Sequence, residues 1–163
     1  MTPLVEFAAA WIAVSLAADG MRKLSDVEAF VRWLRSGELT WAARREVVFL
    51  LGLLEVGVGI ASVHPAGRML AIGVIVAVTP LGAVLVKRTG VCACRGVVRS
   101  NTARNLVVRN ASVVAAAVVT LIALDAPVAL PAVLAAGSAW LIVLIGQYLL
   151  LTRTPVAPVR GLS

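Results

Sequence analysis

One histidine and two cysteines are the whole supply of imidazole and thiol in 163 residues, and only 14% of the chain is charged. A structural zinc site wants four ligands, which His64 and two thiolates do not provide. No Gly-rich nucleotide loop, soluble catalytic module or internal repeat of useful length is present. So little charge also excludes an ordinary soluble domain of this length. What fills the chain instead is apolar: 61% is hydrophobic and the mean hydropathy is +0.99. The composition is that of an integral membrane protein.

A helix crossing the hydrocarbon needs about 20 mostly apolar residues at ~1.5 Å rise each. About five such stretches are expected: Leu4 to Ala18, Val47 to Val63, Met69 to Val86, Leu106 to Leu124 and Val128 to Leu151. The short connections Val63 to Arg68 and Asp125 to Pro127 predict tight antiparallel hairpins. The expected fold is all-α, a single polytopic bundle over residues 1–163, with a four-helix core and an additional C-terminal helix over 128–151. The first stretch carries Glu6 and no basic leader, so it reads as part of the bundle rather than as a cleaved signal. Glycines such as Gly52, Gly57 and Gly59, or Gly73 and Gly82 with Ala83, would permit close helix packing.

Every Lys and Arg except Arg68 falls on one side of these stretches. The positive-inside rule then puts the N-terminus outside and the C-terminus, with both cysteines, at the cytoplasmic face of a multi-pass membrane protein. The net charge of +7 is thereby a topology signal with affinity for anionic headgroups. The basic residues flank the spans instead of forming a separate patch, which argues against nucleic acid as a partner.

Two features break the apolar pattern. Between the first two spans, Ser25 and Glu28 have capping-box spacing, and Val27, Phe30, Val31 and Leu34 share one face opposite Glu28, Arg32 and Arg35. A short interfacial amphipathic helix fits, with Trp33 and Trp41 at headgroup depth. Glu55 lies ten residues past Arg45, about 15 Å along a helix and near mid-bilayer. An ionised carboxylate there must face the bundle interior and be paired or hydrated. Arg109 and Asn110 are the candidate partners, since arginine snorkels and an amide bonds across helices.

The chemistry resides in Cys92 and Cys94, one residue apart in a loop with Lys87, Arg88, Arg95 and Arg99. A disulfide between them closes a small ring whose Cα atoms must approach to about 4.4–6.8 Å. Gly90 and Gly96 permit the turn. Strain in such a ring favours exchange over bracing, and the surrounding cations favour the thiolate. Cys94, beside Arg95, is the more acidic candidate. Two thiolates also suit a soft metal such as Cu(I).

Lys23-Leu24, Glu55, the string Cys92-Ala93-Cys94-Arg95-Gly96 and the pair Arg109-Asn110 resemble the methylamine utilisation protein MauE family, within a wider MauE/DoxX group of redox-associated membrane proteins. The likeness spans residues 7–124. The usual family string is Cys-Gly-Cys-Phe-Gly, so Ala93 and Arg95 are departures that replace a packing residue by a cation. The resemblance implies a membrane thiol-disulfide helper with Cys92 and Cys94 as its working residues. Lys23, Glu55, Arg95, Arg109 and Asn110 would support them. The implied partner is a thioredoxin-like protein, and the implied role is maturation of exported proteins. No cofactor is identified, although a membrane quinone would fit a pocket formed by Glu55, Arg109 and aromatic residues. Two other classes stay open: a soft-metal or small-solute transporter coupled through Glu55, and a non-catalytic assembly scaffold.

Overall fold

The computed structural model describes residues 3–89, 102–122 and 128–153. Six helices and no strand are found among the described residues: α1 (Pro3–Ser25), α2 (Val27–Ser36), α3 (Arg45–Ala61), α4 (Pro65–Thr89), α5 (Thr102–Leu121) and α6 (Leu130–Arg153). The all-α expectation holds, and each expected apolar stretch coincides with a helix. The bounds differ. α1 runs on past Ala18 to Ser25, α4 begins at Pro65 rather than Met69, and α5 begins at Thr102, so that Arg109 and Asn110 lie inside it rather than at its start. Among the described residues, two helices are by length and composition apolar and long enough to cross a membrane, α1 and α4; the apolar helical stretches Asn110–Leu121 and Leu130–Val143 are shorter. α3 has 17 residues, which at ~1.5 Å each falls just short of a ~30 Å hydrocarbon layer. The Asp125 to Pro127 hairpin lies outside the described residues.

α1 is the hub, packed against α3, α5, α6 and, to a smaller extent, α4. Its small residues explain why. Ala8, Ala9, Ala10, Ala13 and Gly20 are buried, and short side chains let neighbouring backbones approach closely. α1 and α3 run antiparallel along such a seam. A Cβ on Gly20 would lie 2.5 Å from the Gly52 carbonyl oxygen, and one on Gly59 would lie 2.7 Å from the Ala17 nitrogen and 2.8 Å from the Ala13 oxygen. Among the glycines expected to allow close packing, Gly52 and Gly59 do so, whereas Gly57, Gly73 and Gly82 face open space. Outward faces carry large apolar side chains: Leu50, Leu53 and Leu54 on α3, Leu70 and Val76 on α4, Leu141 and Ile142 on α6.

Two apolar cores result. One lies among α1, α3, α4 and α5 and contains Ile12, Leu16, Val58, Ile75, Val113 and Ala117. The other lies where α2 and the loop after it meet the start of α3 and the end of α4, and contains Phe30, Trp33, Leu34, Val48, Leu85 and Val86. The amphipathic helix is thus present, with one face buried and Arg32 and Arg35 exposed. Its cap differs from the expected box. Ser25 is the last residue of α1 and bonds back to the Arg22 carbonyl, while Asp26 caps α2 by accepting from the Ala29 N–H at 3.0 Å. Trp33 is buried in the second core, edge-on to Phe30. Trp41 is exposed. At the opposite end, Arg68 is not a loop cation: it is buried in the first turn of α4, where its Nε donates to the Ser62 carbonyl at 3.4 Å, a natural use for a cation at a helix C-terminus.

The α1–α3 seam predicts a graded response to alanine. Gly20→Ala and Gly59→Ala press a methyl into backbone and should each destabilise the bundle by about 1–3 kcal/mol. Gly57→Ala meets nothing and should be neutral or slightly stabilising. Thermal unfolding of the three variants in nanodiscs checks the order.

Candidate functional site

Polar residues recur on α1 at Ser15, Asp19 and Lys23, four apart and therefore along one face. Lys23, expected among the loop cations, is instead within the last turns of α1 and only 5% exposed. Its Nζ is ion-paired with Oε2 of Glu55, itself 1% exposed. Helical side chains lean toward their own N-terminus. In an antiparallel pair, Lys23 therefore leans into the bundle while Glu55 leans toward the end of α1, and the two meet across the seam. The Lys23 ammonium also lies 5.1 Å from the centre of the Phe30 ring, a cation–π contact that ties the pair to α2.

Glu55 was expected to find Arg109 or Asn110. Lys23 supplies an ion pair that was not expected, and Asn110 lines a small cavity together with Glu55. That cavity, about 40 Å³, is lined by Ser15, Asp19, Glu55, Thr79 and Asn110 together with apolar neighbours that include Leu16, Ile75 and Val113. Four helices, α1, α3, α4 and α5, thus each contribute a polar residue to one small cavity. Its size suits water rather than a ring system. The side chain of Arg109 lies outside the described residues.

Cys92, Cys94 and Arg95 also lie outside the described residues; the last described residue before them is Thr89. The approach to the cysteines is nevertheless built. The Trp33 indole N–H donates to Thr89 Oγ1 at 3.3 Å, and that hydroxyl donates to the Leu85 carbonyl at 2.9 Å. Arg88 donates to the Gly37 carbonyl at 3.4 Å and lies 3.7 Å from a Glu38 carboxylate oxygen. A Cβ on Gly37 would stand 2.3 Å from Leu85 Cδ2, so a larger residue there requires the buried Leu85 side chain to shift. Glu38 occupies the left-handed region at φ 64°, where a residue other than glycine is uncommon. The turn after α2 is therefore clamped to the last turn of α4, three residues ahead of Cys92.

Sequence reasoning missed Ser15, Asp19 and Thr79. The four-residue spacing from Ser15 through Lys23 was the available signal, masked by ending the first apolar stretch at Ala18.

Among known families, the family model for methylamine utilisation protein MauE matches residues 1–123. No curated protein and no solved structure matches the chain. The chain belongs to the MauE family, a membrane-associated family tied to methylamine utilisation.

Removing one member of a buried ion pair strands the other charge, at a cost of about 3–5 kcal/mol. Glu55→Leu should accordingly lower the melting temperature sharply, Glu55→Gln less so because an amide still accepts from Lys23, and the double variant Lys23→Met/Glu55→Leu should recover much of the loss. Thermal unfolding of these proteins together with Lys23→Met completes the double-mutant cycle and measures the coupling.

Proposed function

We propose that this MauE-family protein is a multi-pass membrane relay in which Cys92 and Cys94 cycle between dithiol and disulfide by exchange with a thioredoxin-like protein. Membership of the family over a stretch that contains both cysteines carries the reading. The basic setting of the pair supports it, because the thiolate is the attacking species. So does the clamp on α4, which fixes one end of a short loop that must present two sulfurs to a partner.

The exchange balances without any further reactant. The Cys94 thiolate attacks one sulfur of a partner disulfide, forming a mixed disulfide and releasing the partner's other sulfur as a thiolate that takes up a proton. The Cys92 thiol then loses its proton and attacks Cys94 Sγ. The partner leaves as a dithiol, and the Cys92–Cys94 disulfide remains. Two electrons and two protons have passed to the partner; run backwards, the same steps hand an oxidised pair to a reduced partner. The role is support for disulfide maturation of exported proteins in methylamine utilisation.

The membrane arrangement of the proposal has five spanning helices, α1, α3, α4, α5 and α6, with α2 lying at the interface. The outward apolar faces of α3, α4 and α6 support lipid contact on all sides. The distribution of Lys and Arg supports a cytoplasmic cysteine loop beside anionic headgroups.

The order of attack gives a directional test. Cys92→Ser leaves the attacking thiolate without its resolving partner and should accumulate a mixed disulfide, visible as a reductant-sensitive shift on a non-reducing gel. Cys94→Ser should accumulate none, and the double Ser variant should lose disulfide maturation while its membrane level stays that of the wild type. Unchanged maturation in the double variant would reject the relay in favour of a scaffold.

A further inference from the structure

A hydroxyl inside a helix ordinarily satisfies itself by bonding back to the carbonyl four residues earlier. Thr89 does this with Leu85, and Thr120 does it with Ala116. Ser15 does not. It is 4% exposed, and its Oγ is buried without any hydrogen-bond partner, although the Trp11 carbonyl stands in the usual place along the chain. It lines the cavity beside Glu55, and Asp19, Thr79 and Asn110 supply three more polar side chains to the same small volume. On α4, Pro80 directly follows Thr79 and cannot provide the N–H that would close the helix onto the Val76 carbonyl, so backbone polarity is added to that turn.

An orphan hydroxyl among oxygen-bearing side chains, in about 40 Å³, meets the two requirements for internal water: room for at least one molecule and two to four polar partners. We propose that this cavity is a water site that serves the Lys23–Glu55 pair, with Ser15 as one of its ligands, and that the water makes the pair a proton-exchanging centre inside the bundle. A proton leaving the Lys23 ammonium is accepted by the bound water, which passes one of its own protons to a carboxylate along the lining, Glu55 or Asp19, while Ser15 and Asn110 hold the water by hydrogen bonds; the reverse transfer restores the pair. No electron moves, and nothing in the proposal depends on the cysteines.

Radiolytic hydroxyl-radical footprinting of the full-length protein in lipid nanodiscs tests it, because radicals formed from bound water oxidise the side chains that surround that water. Leu16, Ile75 and Val113 line the cavity and are buried, while Ile12 and Leu85 are buried in the two cores without lining it. The expected result is oxidation at the first three and little at the last two. Ser15→Val, which fills the space, should abolish that oxidation, whereas Ser15→Ala, which keeps the room, should retain it. The proton step is read by infrared difference spectroscopy. The band lost in Glu55→Gln should shift on transfer to D2O in the wild type and not in Ser15→Val. Oxidation in the wild type no greater at Leu16, Ile75 and Val113 than at Ile12 and Leu85 would overturn the water site, whether or not the variants fold. A deuterium-insensitive Glu55 band in a protein that does show the labelling would overturn the proton step.

Discussion

Two charges held out of water have to be held together, and in this chain that requirement falls on Lys23 and Glu55. Taking an ammonium and a carboxylate from water into a low-dielectric interior costs several kcal/mol for each ion, and their mutual attraction offsets this only when the geometry is kept. The pair is thus weak as a source of net stability and strong as a constraint on register. It demands that α1 and α3 lie side by side with Lys23 reaching inward, and the Gly20–Gly52 and Gly59–Ala13 approaches are what allow two helix backbones to come that close. A slide of α1 by one turn would drive backbone into backbone and strand both charges. Because Lys23 also sits over Phe30, and Glu55 also lines the cavity beside Leu16, Ile75 and Val113, the pair joins the core beneath α2 to the core of the four-helix region.

The same arrangement bears on two kinds of chemistry. Polar groups are gathered at the meeting of α1, α3, α4 and α5. In sequence the thiol pair follows α4, whose last turn the α2 turn grips through Trp33, Gly37 and Glu38. α2 is common to both: its Phe30 covers Lys23, and its Trp33 fixes Thr89. A short helix that touches the buried pair on one side and the end of α4 on the other has a mechanical reason to be rigid, and burial of Phe30, Val31, Trp33 and Leu34 in one core supplies that rigidity.

Much of this was legible in the sequence. Apolar stretches located the helices, the amphipathic pattern at Val27 to Leu34 located α2, and an acid in a hydrophobic run singled out Glu55 as an interior group. The part played by Lys23 was not legible, because it stood beyond the last apolar residue of its span, where the basic side chains of a membrane protein ordinarily face headgroups. Helix α1 continues past that boundary, and its side chains lean back along it, so a lysine near the end of the helix reaches the interior. Nor could composition tell Gly52 and Gly59, which touch α1, from Gly57, which touches nothing: glycines set the closeness of a contact only once the facing helix is known. The capping box failed for a related reason, since Ser25 was absorbed by the longer α1 and Asp26 was the next residue able to cap.

What membership of the MauE family adds is a reason to read the cysteine pair as working sulfur rather than as ornament to a basic loop. The central claim is that Cys92 and Cys94 gain and lose a bond to each other in the membrane-embedded protein. Differential alkylation in intact cells, with permeant and impermeant maleimides applied before and after reduction, reads redox state and sidedness together. The account predicts a mixed population in which part of the protein is labelled only after reduction, with both thiols reached by the permeant reagent alone. Thiols that are fully labelled without reduction under every growth condition would contradict it.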